Sequence, residues 1–553
     1  VGLYMIRTFA SALVFLFLLS HMGFASWRVQ SIRDAEKTRV LSVKPMDRAI
    51  PEGKKVVRTI PRFLYEDLAP SAEIFEETWF SDETVPQSYV EYFEAHVDRS
   101  SIPGNEVRIL AEQGPPSNRI NLTMVGDGYT FEQKEKFFAD AKRLKDDLFA
   151  QSTFHSYLPL FNVYAVFVPS KESGITDGNH VRDTALGLYR TPPGSKRAII
   201  PGHEDVIDQA IALAPASDYP ILIANDDFYG GLGGQYAITT RSVVSGQIVL
   251  RHELGHNFGQ VGEEYDGGMI YTGANHSSSS DVSWKQWIEG PTTAFESKIL
   301  SGNYLWLNLS TQSAQIKFKF PAQQGSEPYF FEVLLSSVGW ETSEDVFAYL
   351  DGNRVAMKGI YTEDRSFFTL DMDRTIAPGA HVLEFRENVH DRDNVLAFAE
   401  VYAHSPGFDF THGKIAAFTN FNQTLSKVGY RPTFDTCLMR NMLSKEFCSV
   451  DQENMWQRFL DRVSLIEGVS VTGKEKSAEI SLQAPRLEGM EIHWYQVDHL
   501  GQEKELKRVA GEFNWIAELS ERGTYRVRAQ FRTKEVRKYS DRFAGSRDFV
   551  IRF

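Results

Sequence analysis

The pentapeptide His252-Glu253-Leu254-Gly255-His256 constrains this chain more than any other feature. Two imidazoles four residues apart reach one point only if the segment is helical, because positions i and i+4 then share a face. The preceding run, Gln247 to Arg251, is compatible with a buried helix. Such a helix sets both histidines toward one metal ion and places Glu253 beside it as a base for a bound water. A chain of this composition is expected to contain about 0.02 such matches by chance. Gly259 follows closely and predicts that the helix stops and the chain turns back. A third ligand then comes from the return or from further along. Gly262-Glu263-Glu264-Tyr265-Asp266 offers three carboxylates. A straight helix would carry residue 263 about 16 Å along its axis from residue 252, so a turn is required.

Around this motif the chain alternates between α and β patterns. Residues 26–114 read as a β-rich N-terminal domain or prosegment, with strands near Val56–Ile60 and Val107–Leu110. From residue 115 the pattern turns α/β. A strand is predicted over 120–125, a helix over 131–149 with Thr130 as N-cap, and strands over 161–168 and 220–224. A glycine-dominated stretch, Asn225 to Gln235, follows and suggests an edge strand and loop beside a cleft. This first part of the catalytic domain is bounded at 292. Residues 293–405 carry period-two runs such as Gln315–Phe320 and His381–Arg386, and read as an inserted β-sandwich of jelly-roll type. The α/β material resumes over 406–466. Residues 467–553, with Trp494 in a central strand, resemble an immunoglobulin-like or fibronectin-like sandwich. The expected fold class is therefore α+β multidomain: a mixed sheet with helices, an inserted β-sandwich and a C-terminal one.

At 553 residues the chain exceeds one hydrophobic core. Its net charge of -14 argues against a nucleic-acid partner, since nothing would neutralise phosphates. Met5-Ile6-Arg7, the apolar run Phe9–Leu19 and Gly23-Phe24-Ala25 have the layout of a secretory signal over residues 1–25. The expected location is secreted or extracellular, or periplasmic in a Gram-negative cell, with no membrane span in the mature chain. Two cysteines, Cys437 and Cys448, then suggest a disulfide. Four glycosylation sequons begin at Asn121, Asn275, Asn308 and Asn422.

The segment His252-Glu-Leu-Gly-His-Asn-Phe-Gly-Gln-Val-Gly-Glu-Glu-Tyr-Asp266 resembles the metal-site signature of the immunoglobulin A peptidase family of zinc metallopeptidases. Asp127-Gly-Tyr-Thr130, Pro169-Ser-Lys-Glu-Ser-Gly174, Tyr229-Gly-Gly-Leu-Gly-Gly234 and Cys437-Leu-Met-Arg440 match it as well. The resemblance implies a zincin, metzincin-like catalytic domain. In it one Zn2+ is held by His252 and His256, and Glu253 is the general base. In the family pattern the first acid after the turn varies between Asp and Glu, while the second is Glu followed by Tyr. That points to Glu264 as third ligand, with Glu263 next. The resemblance also suggests a methionine turn, here Met439, beneath the metal. Tyr430, ahead of Tyr265, is the candidate donor to the oxyanion.

The expected activity is that of a secreted zinc metalloendopeptidase acting on a protein or peptide. The β-domains are candidate binders of substrate, a glycan or a surface ligand. Two other readings use the same residues: a surface binding or adhesion protein with a degenerate zincin core, and a zinc esterase or deacetylase. An intact Glu253 argues against the first, and the extended signature against the second.

Overall fold

In the stretch from Ile120 to Asp127 every residue is buried, as a strand covered on both faces requires. It lies at the centre of the sheet that positions the site. The computed structural model describes residues 26–33, 38–46, 53–64, 69–81, 84–88, 102–150, 153–178, 180–191, 198–268, 271–303, 305–322, 327–390, 393–474, 477–518 and 523–551. The expected signal segment, 1–25, lies outside them.

Four strands, β1 (Ser26–Arg33), β2 (Thr38–Met46), β3 (Lys54–Leu64) and β4 (Ala69–Ser81), form an antiparallel sheet in the order β2-β1-β4-β3. The next strands are β5 (Glu106–Ala111), β6 (Ile120–Asp127) and β7 (Phe161–Phe167). After a short pair, β8 (Tyr189–Thr191) and β9 (Ala198–Ile200), come β10 (Tyr219–Ala224), β11 (Gly231–Leu232) and β12 (Ala237–Thr240). Six of these make the central sheet, ordered β11-β12-β10-β6-β7-β5. Strands β12, β10, β6 and β7 run parallel, and the edge strands β5 and β11 run antiparallel to their neighbours. The sheet thus begins with Glu106, inside the section read from sequence as N-terminal. Strand β5 is hydrogen-bonded to β7, which a sequence pattern cannot reveal because the pairing is non-local.

The α-helices named among the described residues are α1 (Lys134–Leu148), α2 (Glu204–Ala212), α3 (Gly246–Gly259) and α4 (Ser449–Arg462). Helix α1 follows Thr130 as expected, through one 3-10 turn at Phe131–Gln133. It buries Phe137, Phe138, Ala141, Leu144 and Leu148, the apolar stripe at helical spacing. Helix α3 is different. Ten of its fourteen residues are buried, including Arg251, His252 and Asn257. A helix surrounded on nearly all sides has no solvent face to show as periodicity.

The inserted region was expected to be two facing sheets. It is instead one continuous antiparallel sheet of nine strands, from Ser297–Asn303 round to Ala314–Phe320. Alternation in Ala314–Phe320, buried at every odd residue of the strand, shows one face turned inward. Phe331, Leu335, Trp340, Phe368 and Phe385 fill that interior. The chain returns through Ala417–Phe421, which pairs in parallel with Ala294–Phe295 and antiparallel with Lys427–Arg431. After α4 come a three-stranded and a four-stranded antiparallel sheet, with Trp494 fully buried between Trp515 and Phe549. Their core is continuous with that of α3 and α4. The molecule is thus mostly β with several sheets. Among the described residues no helix is long and apolar enough to cross a membrane.

Candidate functional site

Helix α3 ends at Gly259, and the reversal is made by Gln260, not by the glycine. Gln260 adopts a left-handed conformation, φ 48° and ψ 48°, and its N–H bonds to the His256 carbonyl at 2.8 Å. Val261 then places its carbonyl 2.8 Å from Nδ1 of His256. On the other ring, Nδ1 of His252 lies 3.3 Å from the Leu438 carbonyl. Nδ1 faces a backbone carbonyl in each case, so Nε2 is the ring nitrogen that each histidine turns toward the cleft.

The return loop brings Glu263 back to those two nitrogens. One carboxylate oxygen is 3.1 Å from Nε2 of His256 and the other 3.2 Å from Nε2 of His252. The three donors form one of two groups among the described residues able to hold a metal ion. Burial pulls the His256 imidazole down, but the facing Glu263 carboxylate outweighs it and raises the ring to about 9. Burial likewise raises Glu263, and the two imidazoles outweigh that and hold it well below the usual carboxylate range. The electrostatics favour positive charge between these three side chains. Two nitrogens and one oxygen are a donor set that suits zinc.

Glu264, the ligand favoured from sequence, points the other way. Its backbone N–H bonds to the Met439 carbonyl at 3.0 Å, and its carboxylate accepts from Asn275 at 3.0 Å. Neighbouring side chains leave an extended loop on opposite sides, so only one of the pair can face the histidines. Asp266 is further round and buried. It accepts from Arg431 at 2.8 Å and from the Phe421 N–H at 2.9 Å, which pins the end of the loop. Tyr430 is not brought to the site. Its hydroxyl is held by Glu296 and Lys427, each at 2.7 Å. Tyr265 does line the cleft, its ring stacked on His252 with centroids 6.1 Å apart.

Glu253 lies beside these three side chains and faces the same cleft, which encloses about 980 Å³. Desolvation raises its carboxyl above the ordinary range, against the pull of the two imidazoles. The glycine-rich stretch runs directly over it. A Cβ on Gly233 would stand 2.2 Å from Glu253 Oε2, so a larger residue there would have to displace the carboxylate. Beneath the helix, a Cβ on Gly255 would meet Phe447 at 2.6 Å and the sulfur of Met439 at 2.8 Å. Met439 therefore packs under the motif, in the turn whose Leu438 carbonyl orients His252.

Residues that sequence reading missed complete the setting. Asp364, from the inserted sheet, accepts from the hydroxyls of Ser242 and Ser245 at 2.6 Å each, just ahead of α3. It also accepts from the backbone N–H of Tyr229 at 2.7 Å. Arg365 covers the Tyr229 ring at 4.4 Å and bonds its hydroxyl. No sequence signal joins residues more than a hundred positions apart. Asn275 was visible, but as a sequon. It is 2% exposed, as is Asn121, so neither is open to glycosylation in the fold. Cys437 and Cys448, expected to form a disulfide, are both buried and are not bonded to each other in this structure.

Residues 109–306 match the family described as IgA Peptidase M64. This region belongs to the IgA peptidase M64 family. The M64 segment holds the central sheet from within β5, helices α1 to α3 and the loop bearing Glu263. Cys437-Leu-Met-Arg440 lies beyond it. Membership makes the M64 segment that of a metallopeptidase, a hydrolase acting on protein or peptide, and implies a metal. No curated protein matches. Among solved structures there is a likeness to the apo β-glucuronidase from Ruminococcus gnavus, at 12% identity and a TM-score of 0.10. It covers 44% of this chain and 35% of that enzyme, and carries no argument.

Proposed function

We propose that the chain is a zinc metalloendopeptidase of zincin type, with His252, His256 and Glu263 as the metal ligands and Glu253 as general base. One observation carries this reading: the Glu263 carboxylate faces both Nε2 atoms while both Nδ1 atoms are tied to carbonyls. A zinc ion held there supplies Lewis acidity to the scissile carbonyl and to the attacking water. Glu253 takes the water proton on its carboxylate and passes it to the leaving amine. Its raised affinity for a proton, caused first by burial, suits a group that must hold and then release one. Tyr265, beside His252, takes over from Tyr430 as donor to the oxyanion.

The peptide enters as an added strand along β11. That strand is at the sheet edge, runs antiparallel to β12, and its Gly231 and Leu232 line the cleft together with Gly233 just after it. We read the C-terminal sheets as an immunoglobulin-like sandwich and the chain as secreted.

The test is metal content and peptide cleavage in wild type, Glu253→Gln, Glu263→Ala and Glu264→Ala. Glu253→Gln should keep its zinc and lose cleavage by about 10²- to 10⁴-fold. Glu263→Ala should lose the zinc. Cleavage of ester but not peptide libraries by wild type, or full activity in Glu253→Gln, would overturn the reading.

A further inference from the structure

Beneath the return loop, on the side away from the cleft, are four side chains that the mechanism leaves unused. Glu264 comes from the loop, Cys437 from the turn ahead of Met439, Cys448 from the N-cap of α4, and Asp451 from its first turn. All four are buried, and one donor atom from each lies within 4.8 Å of the other three. Cys437 Sγ is 3.0 Å from Asp451 Oδ2 and 3.4 Å from the Cys448 backbone N. Asn275 satisfies one oxygen of Glu264. The other, Oε2, and Oδ1 of Asp451 are buried without a hydrogen-bond partner.

Four acidic groups with two orphaned carboxylate oxygens are costly to bury. Among the described residues no Lys, Arg or His side chain bonds to any of them. A cation at their centre would supply the missing partner for every donor at once. Two sulfurs select a thiophilic ion, and two carboxylates beside them favour a divalent one, which together favour zinc over calcium or magnesium. Four protein ligands with no opening to the cleft describe a structural site.

We propose that Glu264, Cys437, Cys448 and Asp451 form a second metal site, holding a structural zinc ion. The two thiols give up their protons to solvent when the ion binds. Its position explains a further contact: the Glu264 N–H bonds to the Met439 carbonyl, next to the Leu438 carbonyl that orients His252. An ion joining Glu264 to Cys437 clamps the loop that presents Glu263 to the turn that aims His252.

The experiment loads the full chain with cobalt(II) and counts bound metal, in wild type, His252→Ala/His256→Ala and Cys437→Ser/Cys448→Ser. Two equivalents are expected in wild type and one in each double variant. Thiolate-to-cobalt charge-transfer absorption should appear in wild type and the histidine variant and vanish in the cysteine variant. Absence of that absorption from wild type overturns the proposal, as does a mass spectrum showing the two sulfurs joined as a disulfide. If the cysteine variant does not fold, the wild-type and histidine-variant spectra still decide. A histidine variant that keeps the wild-type metal count sinks the catalytic reading alone, because the thiolate absorption reports the other site separately.

Discussion

Gly233 and Glu253 make the clearest case at the scale of single residues. A methyl group on Gly233 would collide with the Glu253 carboxylate. Gly233→Ala should therefore lower kcat by at least tenfold while leaving zinc content and thermal midpoint close to wild type. Steady-state kinetics with elemental analysis would check it; an unchanged kcat would mean that the carboxylate simply rotates away. A second prediction concerns Glu400, in the same cleft wall. Burial, then the nearby Asp266 carboxylate, pushes its pKa up to about 7, against Arg440 and a hydrogen bond from Tyr402. Between the ordinary carboxylate range and pH 7 the folded chain thus holds a proton that the unfolded chain has released. Stability through this group falls as pH rises across that window. Glu400→Gln should flatten the decline, read as urea midpoints at pH 5 and pH 7.5.

At the scale of elements, α3 shows what was legible in sequence and what was not. Spacing alone placed His252, Glu253 and His256 on one helix, because a helical period needs no knowledge of neighbours. The reversal after Gly259 was also readable, but its left-handed residue is Gln260. Which of two adjacent acids faces the two histidines was not readable. That depends on the Met439 carbonyl, which takes the Glu264 N–H and so orients the loop from 175 residues away. Tyr430 failed for a similar reason, since Glu296 and Lys427 hold it elsewhere. The start of α3 rests on another distant contact. Asp364 accepts from Ser242 and Ser245, where a negative charge also meets the positive end of the helix. Asp364→Ala should cost about 1–3 kcal/mol, since it removes the charged acceptor of two buried hydroxyls. Chemical denaturation would measure it, and a change below a few tenths would show that water replaces the carboxylate.

Over the whole molecule, the first sheet is tied to the central one by buried charge. Arg28 pairs with Asp218, Arg462 reaches Asp218 at 3.3 Å and Glu77 at 2.7 Å, and Asn121 donates twice to Asp218. Removing one member strands the others without water. Asp218→Ala is expected to cost about 3–5 kcal/mol. Limited proteolysis should then cut ahead of residue 102 before the rest of the chain is touched. If cleavage there is no faster than in wild type, the sheet is held by its apolar contacts instead. The strand patterns of this region were visible in the sequence, but not its attachment, because Arg28 and Asp218 carry no pattern that links them.

Asp364 has one more consequence. Its two oxygens reach both the approach to α3 and the loop leading into the edge strand. A graft that exchanges the nine-stranded insertion for another would leave both without their common anchor. The corner at Asp364 thus behaves as a fixed hinge pin that any transplanted insertion must carry with it, whatever becomes of the strands around it.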